Sequence, residues 1–181
     1  MTSRVRRNHR QPPHDADEIE RLYVKLLRAF YEKPNRKSAL AVAATLKSAL
    51  AARPEFQDSI RAEEIRSLLA ELHGDLAAAA RCREAEIRKI LELYSQAVNT
   101  TSWEYVHRQY GFADVADRLD LLAALYDKQG DTERAIATLR ESKHWCESHQ
   151  VPFDGQDLLD ELSKASPAPA RRQRRETAQR R

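Results

Sequence analysis

The chain has 181 residues, 41% of them hydrophobic, and only four glycines and seven prolines. That is enough for one domain with a core, and the dominance of Ala, Leu, Glu, Arg and Lys argues against a sheet and against disorder throughout. Two cysteines exclude a disulfide framework, no apolar stretch approaches the ~20 residues that span a bilayer, and the net charge of +3 hides a segregation of charge along the chain.

The segregation begins at the N-terminus. Residues 1 to 14 hold Arg4, Arg6, Arg7 and Arg10 with no acid, and residues 166 to 181 hold six arginines against Glu176. Subtracting these ends (+4 and +5) from +3 leaves the 151 residues between them at −6. The expected organisation is a disordered basic arm over 1–15, a helical domain over 16–165 and a disordered arginine-rich tail over 166–181. A reducing, cytoplasmic setting follows from the cysteine count, with no membrane span.

Every glycine and proline falls between apolar-periodic segments, so the breakers mark out the helices. The first helix is expected from about Asp17 to Glu32, with Ile19, Leu22, Tyr23, Leu26, Leu27, Phe30 and Tyr31 at three- and four-residue steps, ended by Pro34-Asn35. The second, about Arg36 to Ala52, carries Leu40, Ala43, Leu46, Ala49 and Leu50 on one stripe. The third, about Asp58 to His73, presents Ile65, Leu68, Leu69 and Leu72 and stops at Gly74. Asp75 then caps a long fourth helix, Leu76 to about Val98.

Thr101 to Glu104, reading TSWE, has the form of a capping box for a short helix with Trp103, Val106 and Tyr110. After Gly111 come two helices, about Asp114 to Gln129 and Asp131 to His149. A last one, Gln156 to about Lys164, has Asp154 as its expected cap and is placed to cover the open end of a stack.

The segment Leu119 to Cys146, LDLLAALYDKQGDTERAIATLRESKHWC, resembles a tetratricopeptide repeat. Leu119, Leu122, Ala123 and Tyr126 match the first helix of that family's unit, Gly130-Asp131 its turn, and Ala135, Ile136 and Leu139 its second helix. A weaker match spans about Ile60 to Tyr94, where Arg66, Ala70 and Arg83 replace Leu122, Tyr126 and Leu139. Gly74 and Gly130 lie 56 positions apart, against a family period of about 34. The resemblance implies an all-α fold of about eight helices, antiparallel hairpins stacked as a right-handed superhelix, and a role as a protein-binding adaptor without cofactor.

The helix from Asp114 is apolar over more than half its circumference, leaving a strip of Asp117, Asp120, Ala124, Asp127 and Lys128. Glu64 and Glu71 occupy a comparable strip of the third helix. In the family such strips face the peptide-binding groove, so the resemblance implies an acidic groove for a basic protein or peptide. The arginine tails of this chain or of a second copy are another candidate occupant. Solvation of a surface face is the plain alternative.

No nucleophile and base pattern, and no glycine-rich phosphate loop, points to an enzyme. His144, Cys146 and His149 cannot meet at one ion, because at ~100° per residue they leave the helix in different directions. Mixed-sign runs such as Arg81 to Glu92 read as solvated faces. The main competing function lies in Arg171, Arg172, Arg174, Arg175, Arg180 and Arg181, which suit the phosphates of nucleic acid or the ribosome.

Overall fold

The computed structural model describes residues 16–32, 35–98 and 100–165. The expected basic arm and arginine tail lie outside them. Among the described residues there are eight α-helices and no strand, so the protein is all-α. They form two compact units that part between Ala62 and Glu63.

In the first unit, α1 (Ala16–Leu27) passes into a π-helical turn at Arg28–Glu32 instead of continuing as regular helix. Asn35 donates its N–H to the Ala29 carbonyl at 3.0 Å. Asn35 also starts α2 (Arg36–Ala51), its side chain accepting from the Ser38 N–H at 3.0 Å, which satisfies one of the helix's unpaired donors. The two helices pack together. Ile19, Tyr23 and Leu26 of α1 are buried, as are Ala39, Ala43, Leu46 and Leu50 of α2, whereas Leu40 and Ala49 are half-buried. The Arg61 guanidinium sits 4.4 Å over the Tyr23 ring, beside Glu20 at 3.4 Å.

The second unit holds most of α3 (Ile60–His73) and all of α4 (Leu76–Ala97), α5 (Trp103–Gln109), α6 (Phe112–Lys128), α7 (Thr132–His149) and α8 (Gln156–Ala165). Two hairpins use the same turn. Gly74 and Gly130 take left-handed conformations, φ 83° and 76°, open to a residue without Cβ at little cost. The following aspartate closes each turn: Asp75 accepts from the Ala78 N–H at 2.9 Å, Asp131 from the Arg134 N–H at 3.2 Å. Small residues then let the hairpins close tightly, with Ala79, Ala123 and Ala135 fully buried. α4 outlasts α3 by eight residues, about two turns.

Three local expectations change. The capping box at Thr101 does not form: Ser102 is the N-cap of α5 without a side-chain hydrogen bond, and the nearby Thr100 hydroxyl accepts from the Ser102 N–H at 3.2 Å. The box-like contact falls one helix later, where Asp114 accepts from the Gly111 N–H at 2.7 Å and starts α6 at Phe112. At α8 the first helical bond is taken by the Gly155 carbonyl, from Leu159 at 3.0 Å, so the helix starts from Gly155 and not from Asp154. α8 packs on α7 with Leu159 and Leu162 buried.

The run Arg81 to Glu92 is not wholly a solvated face. Arg83 is 4% exposed and Glu86 is fully buried. Arg83 Nη1 lies 2.5 Å from Glu86 Oε2, and Arg118 Nε of α6 lies 2.6 Å from Glu86 Oε1. Both charges are admitted to the interior because a third one arrives from another helix.

Candidate functional site

Helix α6 has two faces with different surroundings. One, formed by Leu119, Leu122 and Tyr126, lines a groove of about 490 Å³ whose other walls are α4 and α7. The other carries the aspartates singled out in the sequence. At ~100° per residue, Asp117 lies opposite Leu119, Leu122 and Tyr126, while Asp120 and Asp127 flank that face, roughly 105–130° from its centre.

On the aspartate side the charges are partly spoken for. Lys128 Nζ sits 2.6 Å from Glu71 Oε1, so these two strip residues neutralise one another between α6 and α3. Glu64 is half-buried and close enough to Glu86 and Arg118 to influence their ionisation. Asp120 is half-buried as well, with Oδ1 shielded and without a hydrogen-bond partner. Burial pushes its carboxyl up, the nearby Ser142 hydroxyl works against that shift, and the charges of Asp117 and Asp154 add to it. Asp117 is exposed yet also shifted upward, by burial of part of its carboxyl and by Asp114. Asp127 is simply exposed. Exposure, pairing and ionisation therefore differ from one position of the strip to the next. The six tail arginines lie outside the described residues.

The groove on the other face was not foreseen. Its α4 wall is built by positions 84, 87, 88, 91, 92 and 95, one stripe at three- and four-residue spacing. Ile87 and Leu91 give that wall its apolar surface, and Glu84, Arg88 and Glu92 are exposed along it. α7 contributes Thr138 and Glu141. Tyr126 donates its hydroxyl to Glu84, and its phenol is pushed up to about 12 by burial and by that carboxylate. Arg134 stands 5.5 Å from the Tyr126 ring centroid and pairs with Asp131 at 3.4 Å.

A second unforeseen feature is a cluster of rings where α4, α5, α6 and α7 meet. Phe112 is its hub, with ring centroids of His149 at 4.2 Å, His107 at 4.7 Å, Tyr94 at 5.5 Å, Trp145 at 5.9 Å and Trp103 at 6.1 Å. Trp145 Nε1 donates to the Phe112 carbonyl at 2.9 Å, and Tyr94 donates to the Tyr110 carbonyl. These rings fill the space between helix ends and lock α5 in place.

Among the described residues no group of three or more His, Cys, Asp or Glu side chains is gathered as a metal site, and no helix is long and apolar enough to cross a membrane. No protein-family model, curated protein or solved structure matches the chain.

Proposed function

We propose that the chain is a protein-interaction scaffold, an adaptor whose hairpins are arranged in the manner of a tetratricopeptide array and whose helical surface takes a segment of a partner protein. The observation that carries this reading is the α4, α6 and α7 groove: apolar side chains line it and charged ones border it, which is the anatomy of a recognition surface. The reading involves no cofactor and no covalent step, and it places the protein in the cytoplasm.

The test is photo-crosslinking in cell extract with a benzophenone amino acid at position 91, in the groove, or at position 124, on the aspartate strip. A discrete protein adduct from position 91 is the expected result. Adducts from position 124 alone would move the binding face to Asp117, Asp120, Asp127, Lys128, Glu64 and Glu71. No adduct from either would remove the scaffold reading.

A second reading rests on one sequence observation, the six arginines against a single acid in residues 166–181. Here the tail contacts the phosphates of nucleic acid or the ribosome while the helices hold a protein. Affinity for mixed nucleic acid should then fall steeply with salt, and that slope should vanish on removing residues 166–181. Flat, weak binding with and without the tail would exclude it.

A further inference from the structure

We infer that the occupant of the α4, α6 and α7 groove is an amphipathic helical segment of a partner protein, with leucine-like anchors on one side and lysine or arginine flanking them. The inference rests on the scaffold reading and adds the chemistry of the partner.

Shape comes first. The α4 wall runs from Glu84 to Ser95, twelve residues or about 16 Å along the helix axis. A trough of that length, open along exposed residues, matches two to three turns of an opposing helix better than a compact small molecule. The apolar contact available is narrow: Ile87, Leu119 and Leu122 show only 4–6% of their surface, and Leu91 is half-buried. One row of anchors would fill it, while a wholly apolar segment would leave most of its own surface uncovered.

Charge supplies the rest. Three carboxylates, Glu84, Glu92 and Glu141, border the groove against the single guanidinium of Arg88. Among the described residues, the Glu92 and Glu141 side chains have no ion-pair partner, and they face the groove from α4 and α7 respectively. Elsewhere in this unit, Glu63 pairs with Lys89, Glu71 with Lys128 and Glu86 with two arginines. A segment bearing cations beside its anchors would meet two waiting carboxylates, and an acidic one would be repelled.

The experiment uses the full chain and three fluorescein-labelled peptides of about four helical turns. One has leucine at three- and four-residue steps with lysine elsewhere, the second glutamate for lysine, the third serine for leucine. Anisotropy should show the leucine-lysine peptide binding roughly tenfold or more tighter than either control. In E92K/E141K, with unchanged helical content, the order of the lysine and glutamate peptides should reverse. Equal affinity for these two peptides, or a lysine preference untouched by E92K/E141K, would overturn the inference. So would binding that appears only once the six tail arginines are glutamines, because the occupant would then be the chain's own tail. A position-91 adduct whose crosslinked segment carries no basic residues would leave the scaffold reading standing and remove this one alone.

Discussion

Arg118 Nε donates to Glu86 Oε1 at 2.6 Å, joining α6 to α4 across 32 positions of sequence. Glu86 is fully buried, Arg83 shares it from the same helix, and Arg118 also donates to the Asp114 carbonyl at 2.8 Å. Burial pushes the Glu86 carboxyl up, while the two guanidiniums pull against that shift. Removing one partner of such a set leaves buried charge uncompensated. Glu86→Gln should therefore cost about 3 kcal/mol of stability in urea unfolding, whereas leucine at all three positions should recover most of it. A tolerated Glu86→Gln would mean that the cluster carries little of the packing.

Gly155 occupies a place where no side chain fits. A Cβ there would lie 2.8 Å from Leu139 Cδ2 and 2.9 Å from the Phe153 ring, and Leu139 is itself fully buried. Gly155→Ala should cost about 2 kcal/mol through overpacking. Leu139→Val in the same chain should return part of that loss, and additive costs would show that the clash relaxes elsewhere.

The end of α7 differs from the two glycine turns, because Gln150 takes the left-handed conformation, φ 57°, with a side chain attached. Gln150→Gly should stabilise the protein by about 0.5 kcal/mol. Gly130→Ala, where nothing obstructs a Cβ but φ is 76°, should cost about 1 kcal/mol. Thermal melts of the two variants should move in opposite directions.

Asp120 makes stability depend on pH with a definite sign. Because burial raises its carboxyl, the folded chain binds more protons than the unfolded one between the ordinary aspartate pKa and the raised value. Stability from this group thus falls as pH rises through that window, and its ionised form is a burden at neutral pH. Asp120→Asn should stabilise the fold at pH 7 by no more than about 0.5 kcal/mol, given solvent screening of a half-exposed group, and so raise the melting temperature slightly. The gain should disappear below the ordinary aspartate range; a gain independent of pH would point to some other cause.

How far the helices could be read from sequence depends on where each signal lies. Breakers and apolar steps are local, so the number of helices and both Gly-Asp turns follow from them, with ends shifted by a residue or two. The π-helical turn at Arg28–Glu32 carries no breaker and reads as ordinary helix. Arg83 stands at the hairpin position held by Leu139 in the next pair, and Glu86 at that of Ser142; all four are buried. Only the arrival of Arg118 explains why charge is accepted there. The groove has the same limitation: the stripe from Glu84 to Ser95 is visible in sequence, but α6 and α7 decide that it becomes a wall. The aspartate side of α6 stands out in the sequence because the family resemblance points to it, whereas packing is what makes the groove.

The paired turns at Gly74-Asp75 and Gly130-Asp131 also bear on the speed of folding. Each is closed by an aspartate N–H that returns 2.9 Å to a carbonyl five residues back, Ala70 in one case and Tyr126 in the other. Connections this short spend little loop-closure entropy, and helices adjacent in sequence meet without a long search. Each hairpin can begin to form before the rest of the chain is in place. The bond from Arg118 to Glu86, by contrast, joins residues 32 positions apart and ties one hairpin to the other.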